Sequence, residues 1–357
     1  MSVTLKDVAA AAGVSRSTAS RALSGSSLIA AETRALVEEA ARRLGYRPNR
    51  AASSLRSRQS HLIGLVVGNL VNASFHTIAE VVQRRAAAED YQMMLYITDA
   101  DPRREETILK TLGEHGVDGL ILIGTGSNAA ASNALLASGT AVVNLIRGAT
   151  ESAAPTVLAA DRDGAHEATR HLLELGHRRI GYIGGPSDTN SGRERFAGYE
   201  QALREHGLPI DERLIERGPF EPAFGSSATD RLLRRVPEMT ALLAANHEAV
   251  FGVLPALAAA GVRVPDDLSL ICYEDISWLR WWHPPVTVVD NGARELGELA
   301  MDLLLQQLER DRGKVPPARN GRTYRVGAQL IQRGSCAPPR DQGDDLSASR
   351  PGRDGTR

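Results

Sequence analysis

Apolar residues follow two rhythms along this chain. Up to about residue 47 they recur every three or four positions in short stretches punctuated by glycine. From His61 onward they gather into continuous runs: "LIGLVV", "MMLYIT", "GLILIG", "AVVNLI", "IGYIGG", "ALLAAN", "LSLICY" and "VTVV". Runs of this length separated by helical stretches predict parallel strands with crossover helices, buried on both faces. Eight runs are too many for one compact sheet of usual size, so the pattern predicts two α/β subdomains with a cleft between them.

The early rhythm predicts three short helices. Thr4 can cap a helix beginning at Leu5, with Asp7 as its capping-box acid and Leu5, Val8, Ala9 and Ala12 on one face. Gly13 breaks it. Ser15 caps a second helix running to about Leu23, with Ala19, Ala22 and Leu23 inward. A third, about residues 32–44, turns Val37, Ala40, Ala41 and Leu44 inward and stops at Gly45. The first two, joined by a glycine turn, form a helix-turn-helix. With the apolar positions committed to a core, Arg16, Ser17 and Ser20 or Arg21 remain on the outer face of the second helix. Arginine can donate two hydrogen bonds to guanine in the major groove, and hydroxyls can hold phosphate.

Charge sharpens the picture. Residues 1–60 hold ten Lys or Arg against four Asp or Glu, while the whole 357-residue chain has a formal net charge of −1. A basic head on an acidic body points to an anionic partner for the head alone. Two cysteines are too few for a disulfide framework, and neither a signal peptide nor a run of about 18 apolar residues is present, so a cytoplasmic protein is expected. No G-x-S-x-G, H-E-x-x-H, P-loop or paired-cysteine metal motif occurs. "GTGSNA" imitates a dinucleotide fingerprint, but it follows the third strand and no acid lies about twenty residues on. Neither an enzyme nor a metal or other cofactor is expected.

The stretches "VTLKDVAAAAGVSRSTASRALSG" and "ETRALVEEAARRLGYRPNRAASSLRSRQSHLIGLVV" resemble the lac repressor (LacI/GalR) family of transcription regulators, and the resemblance runs over nearly the whole chain. It implies an all-α helix-turn-helix headpiece (1–47), a hinge (48–60) and a periplasmic-binding-protein-like α/β body (61–335). The body would comprise one subdomain of about 61–160 with 291–320 and another of 161–290 with 321–335. By that resemblance Arg16 and Ser17 stand where operator bases are chosen and Arg21 at a further contact, with Thr4, Ser15 and Ser20 completing the headpiece surface. Asn49, Arg50, Ala52, Leu55 and Arg56 fall in the hinge, where Leu55 matches a leucine that wedges into the minor groove. One departure is Ala30, which stands where the family usually has a Ser or Thr cap.

Open parallel sheets bind ligands at the carboxyl ends of their strands. That rule selects Asn72, Phe75, Asn190, Arg195, Asn246, His247, Glu274 and Asp275, with Phe220 and Trp281 or Trp278 as ring-covering aromatics. Arg195 precedes "FAGY" as the effector-binding arginine does in the family. His247 and Glu274 depart from the family's usual Asp at each position, and Asp275 is the alternative carboxylate. His177, after Gly176, reads as a structural cap. The donor set suits a sugar or related polyol, and also a nucleoside or an amino compound.

The expected partners are a small-molecule effector, a second copy of the chain and palindromic double-stranded DNA, since one headpiece offers too little surface for operator affinity. The tail, 336–357, has almost no aliphatic content and is expected to be disordered; it lacks leucine heptads, so a dimer is expected. The competing reading is a stand-alone sugar-binding or metabolic protein whose basic head is incidental.

Overall fold

The computed structural model describes residues 3–23, 28–46, 59–148, 151–311 and 321–340. The chain divides into a headpiece, residues 1–61, and a body, residues 62–357.

The headpiece holds helices Leu5–Ala11 (α1), Arg16–Leu23 (α2) and Ala31–Leu44 (α3). The Asp7 carboxylate accepts from the Thr4 N–H (2.8 Å) and hydroxyl (2.7 Å), fixing the start of α1. Gly13 turns the chain at φ +67°, a left-handed conformation that a side chain would strain. Ser15 Oγ then accepts from the Thr18 N–H at 3.0 Å, capping α2. Ala30 gives α3 no side-chain cap, which costs about 1 kcal/mol. Val8, Ala9, Ala19, Ala22, Val37, Ala40 and Ala41 form the buried core, with Leu5, Leu23, Ile29 and Tyr46 packed around it.

In the body, Leu62–Val67 (β1), Ala73–Ala88 (α4), Gln92–Ile97 (β2), Pro102–Glu114 (α5), Gly119–Leu122 (β3), Ala129–Ala137 (α6), Ala141–Leu145 (β4) and Thr156–Ala159 (β5) build a first lobe. Asp161–Glu174 (α7), Ile180–Gly184 (β6), Asn190–Glu205 (α8), Ile215–Arg217 (β7), Pro222–Arg235 (α9), Ala241–Ala244 (β8), His247–Ala259 (α10), Ser269–Tyr273 (β9), Ser277–Trp281 (α11) and Thr287–Asp290 (β10) build the second. Ala293–Asp311 (α12) and Thr323–Val326 (β11) return to the first lobe, and Gln329–Ile331 (β12) closes the second. The first sheet runs β11-β5-β4-β3-β1-β2, all parallel. The second runs β12-β10-β9-β8-β6-β7, parallel except for β12 on β10.

Except in β2, an edge strand with no fully buried residue, the unbroken apolar runs are explained by burial on both faces. In β1, Ile63, Leu65 and Val67 pack under α4 and α12, while Val66 joins Leu109 and Leu112 of α5 on the opposite face. In the second lobe Leu242 and Ala244 face α9 and α10, while Ala241 and Leu243 face α7 and α8. No helix among the described residues is long and apolar enough to cross a membrane.

Two boundaries differ from the sequence expectation. Residues 321–326 belong to the first lobe, because β5 leaves an open edge that β11 fills residue by residue, from Thr323 on Thr156 to Val326 on Ala159. The tail begins later than 336, since its backbone finds polar partners where it has no aliphatic residues to bury. Cys336 packs on the core beneath α7 and α8, the Ala337 N–H donates to Ser269 Oγ (3.0 Å), and Arg340 pairs with Asp266. Residues 341–357 lie outside the described residues.

His177 holds this C-terminal segment rather than only ending a helix. Its ring nitrogens lie 2.9 Å from Thr240 Oγ1, 3.0 Å from Ser269 Oγ and 3.0 Å from the Ala337 carbonyl. Burial pushes its pKa below 6.5. The unfolded chain therefore takes up the proton first as pH falls, so the stability from neutral His177 is full above about pH 6.5 and is lost below it. Melting temperature of His177→Gln should fall less steeply between pH 7.5 and 5.5 than that of the parent. His247, whose shift is opposite in sign, is common to both proteins, and parallel slopes would remove His177 from this role.

Candidate functional site

A cleft of about 640 Å³ lies between the lobes, walled by the loops after the carboxyl ends of β1 to β4 and of β6 to β9. Its deepest polar part is built around the amino end of α4. Asn72 caps that helix, its Oδ1 accepting from the Ser74 and Phe75 N–H groups at 3.0 and 3.3 Å. The cap's remaining donor crosses to the second lobe, Nδ2 to Glu248 Oε1 at 3.0 Å. Ser74 Oγ donates to Glu274 Oε2 at 3.0 Å and accepts from Asn291 Nδ2 at 3.0 Å. The Ala73 N–H donates to His247 Nε2 at 3.2 Å. One helix end is thus fastened to three side chains of the opposite lobe.

Glu274 sits at φ +75°, a strained conformation for a glutamate, at the end of β9. Burial alone would raise its pKa, but His247, Arg195 and the Ser74 hydroxyl outweigh that and hold it at about 2. His247 Nδ1 lies 2.6 Å from Glu274 Oε2, out of line for a good hydrogen bond. Burial depresses the His247 pKa, yet the adjoining carboxylate raises it further. The Ala73 N–H aimed at Nε2 selects the tautomer with its proton on Nδ1.

Arg195 is 4% exposed. Its Nε donates to Asp161 Oδ1 and its Nη1 to the Ala245 carbonyl, both at 2.8 Å. Its Nη2 is 3.6 Å from Glu274 Oε1, and the guanidinium lies 3.8 Å above the Tyr273 ring. Burial opposes its charge, but Asp161, Tyr273 and Glu274 together raise its pKa above the ordinary arginine value. Phe75 and Phe220 give the cleft apolar faces. Phe220 rests on Gly185, where an added Cβ would meet the ring at 2.1 Å, so a side chain there would push the ring from its present place.

Of the residues selected from sequence, Asn72, Phe75, Arg195, Phe220, Asn246 and Glu274 line the cleft. Four do not. Asn190, in the first turn of α8, is off the wall although Thr189 and Ser191 are on it. His247 is wholly buried beside Glu274, supporting the wall rather than forming it. Asp275 is held by Arg333 (2.8 and 2.9 Å) and Arg280 (2.6 Å), because the residue after Glu274 projects away from it. Trp281, at the end of α11, is 86% exposed. Trp278 packs at a tilt against Phe251, ring centroids 5.1 Å apart, rather than on the cleft. Arg147, Glu248, Ser74 and Asn291 were missed; Arg147 directly follows "AVVNLI", so the strand-end rule reaches it.

On the headpiece, Thr4, Ser15, Arg16, Ser17 and Arg21 are exposed and Ser20 is half-buried. The hydroxyls of Ser17 and Thr18 each lie 2.8 Å from Ser15 Oγ, clustering three hydroxyls at the amino end of α2. Asn49, Arg50, Ala52, Leu55 and Arg56 lie outside the described residues. No group of three His, Cys, Asp or Glu suited to a metal occurs among the described residues.

A helix-turn-helix headpiece on a two-lobed, cleft-bearing body defines a DNA-binding regulator with a small-molecule-binding domain. Residues 4–49 match the model of the lacI family of bacterial regulatory proteins, and residues 169–336 match a periplasmic binding protein-like domain. The HTH-type transcriptional repressor PurR of Haemophilus influenzae is 31% identical over 85% of this chain and 91% of its own. The ribose operon repressor of Escherichia coli is 31% identical over 93% of this chain and 99% of its own. Among solved structures, a lac repressor dimer bound to operator and the anti-inducer ONPF superposes with TM-score 0.80 at 27% identity, covering 94% of this chain and 100% of that one. A complex of the transcriptional regulator CelR with cellobiose gives TM-score 0.70 at 30% identity, covering 93% and 99%. The chain belongs to the lacI family of bacterial regulatory proteins. It is a DNA-binding transcriptional repressor with an effector-binding body, and the reading as a stand-alone binding protein falls away.

Proposed function

We propose that the chain acts in the cytoplasm as a homodimer on a two-fold symmetric operator, with Arg16, Ser17 and Arg21 facing the major groove and Leu55 serving as a minor-groove wedge. A sugar or related polyol in the cleft sets operator affinity, and the protein catalyses no reaction. The observation that carries this reading is the fastening of α4 across the cleft by Asn72 and Ser74 to Glu248 and Glu274. A ligand fitting between the lobes must compete with or reinforce those bonds, so it binds the two lobe arrangements unequally, which is the requirement for switching. Around it Arg195, Asn246 and Glu274 offer donors and acceptors, with Phe75 and Phe220 as ring faces. The relatives support the class: one is a ribose operon repressor and another was solved with cellobiose.

Dimerisation is supported by an exposed aromatic patch. Phe251 and Trp282 are 40% and 38% exposed beside the more exposed Trp281, with Trp278 between Phe251 and Trp282. Such a patch fits a second copy of the chain.

The reading is tested by screening sugars, polyols and nucleosides for those that raise the melting temperature of the full-length protein, then titrating operator DNA with and without each. A stabilising ligand should change operator affinity by roughly 5- to 150-fold. Stabilising ligands that leave operator affinity unchanged would refute the switch.

A further inference from the structure

Every charged side chain in the interior of the cleft but one has a partner. Arg195 is paired with Asp161, and Glu274 is flanked by His247, Arg195 and Ser74. Glu248 accepts from Asn72, and burial pushes its carboxyl above the usual range, toward the neutral form. Arg147 is the exception. Its guanidinium makes no ion pair and no side-chain hydrogen bond among the described residues, and its Nε is buried without a partner. The carboxylates that act on it, Glu248, Glu105 and Asp188, all stay outside ion-pair distance. Glu105 is occupied by the Thr125 N–H (2.6 Å), the Thr125 hydroxyl (3.2 Å) and Asn128 Nδ2 (3.0 Å).

The placement of Arg147 is enforced by backbone. β4 ends at Leu145, and Ile146 follows at φ +63°, which a β-branched residue adopts only at a cost. The Arg147 N–H then donates back to the Leu145 carbonyl at 2.6 Å, so this turn delivers the arginine to the cleft wall. A half-buried cation that no carboxylate contacts is costly, and for Arg147 the loss of solvent outweighs the pull of those more distant carboxylates. A planar fork of donors matches a carboxylate or a phosphate.

We propose that the effector carries an anionic group, a carboxylate or a phosphate on a hydroxylated skeleton, which pairs with Arg147 on the first lobe while its hydroxyls meet Arg195, Asn246 and Glu274 on the second. This rests on the cleft being the effector site, and it narrows the effector from polyols in general to sugar acids and sugar phosphates. The acids at the rim do not contradict it. Asp188 and Glu221 are exposed to solvent, and exposed Asp99 is paired with Arg104.

Thermal unfolding of the full-length protein with matched probes provides the test: D-glucose against D-gluconate, D-ribose against D-ribose 5-phosphate, and inorganic phosphate. At equal concentration the anionic member of at least one pair should raise the melting temperature where its neutral counterpart does not; which pair responds separates carboxylate from phosphate. Arg147→Met should abolish that rise, and Arg147→Lys, which keeps the charge, should retain part of it. Without ligand, Arg147→Met should melt above the parent by about 2 °C or more, because an uncompensated charge is removed. A neutral sugar that stabilises the parent and Arg147→Met equally would leave the cleft as the effector site and overturn the anionic inference. The inference also falls if unliganded Arg147→Met melts below the parent, or if no anion in the set stabilises the parent.

Discussion

Arg195→Ala is expected to destabilise the body by about 3–5 kcal/mol, in addition to abolishing the response to effector. The pair it belongs to is almost wholly buried, with Arg195 and Asp161 side chains 5% and 3% exposed. Removing the guanidinium leaves Asp161 without its ion-pair partner, strips the Ala245 carbonyl of a donor and uncovers the Tyr273 ring. A buried carboxylate left unpaired is worse than no carboxylate at all. The neutral double variant Arg195→Gln, Asp161→Asn should therefore be more stable than Arg195→Ala alone, and urea unfolding of the two against the parent measures the difference. Arg195→Ala with the parent's urea midpoint would show that Asp161 is compensated elsewhere. Arg195 is thus both a wall of the cleft and a fastening between α7, α8 and β8, and loss of effector response in this variant alone does not separate the two roles. Arg147 and Phe220, which carry less of the packing, are the cleaner probes of ligand contact.

Arg16→Ala is expected to weaken binding to the preferred operator by about 1–3 kcal/mol per complex, or more where two half-sites add, and to relax choice at one base pair per half-site. Arg16 is the first residue of α2 and is exposed. Ser15 beside it is committed to the cap and to its neighbours' hydroxyls, so Arg16 has the freer reach toward a base edge. Fluorescence anisotropy on the preferred site and on scrambled DNA distinguishes the roles. An equal loss on both would make Arg16 a phosphate contact.

The headpiece was legible in the sequence because its determinants are local: Thr4 with Asp7 and Ser15 with Thr18 act within three residues, and Val8 with Ala9, Ala19 with Ala22, and Val37 with Ala40 and Ala41 each mark the inner face of a single helix. The body strands that carry continuous apolar runs were legible for a similar reason, most of them being buried on both sides. β7, β11 and β12 were not, since "IER", "TYRV" and "QLI" mix polar residues into three or four positions and owe their strand form to a neighbouring edge, and the "TVLA" of β5 is too brief a run to stand out. That is also why residues 321–326 went to the wrong lobe. In the cleft, the strand-end rule found Glu274 and Asp275 together but could not choose between them. The choice is made by Arg333, 58 residues away, which draws Asp275 aside. Asp161 was invisible as the partner of Arg195 because 34 residues separate them.

On the proposed function, this chain reads a symmetric DNA site through two copies of its headpiece. Selection of random-sequence duplexes by the full-length protein, followed by sequencing of the bound pool, tests it most directly. A two-fold symmetric site should be enriched, each half-site containing a guanine that loses its enrichment with Arg16→Ala. A pool with no enriched sequence, or one enriched in a single asymmetric half-site, would contradict it.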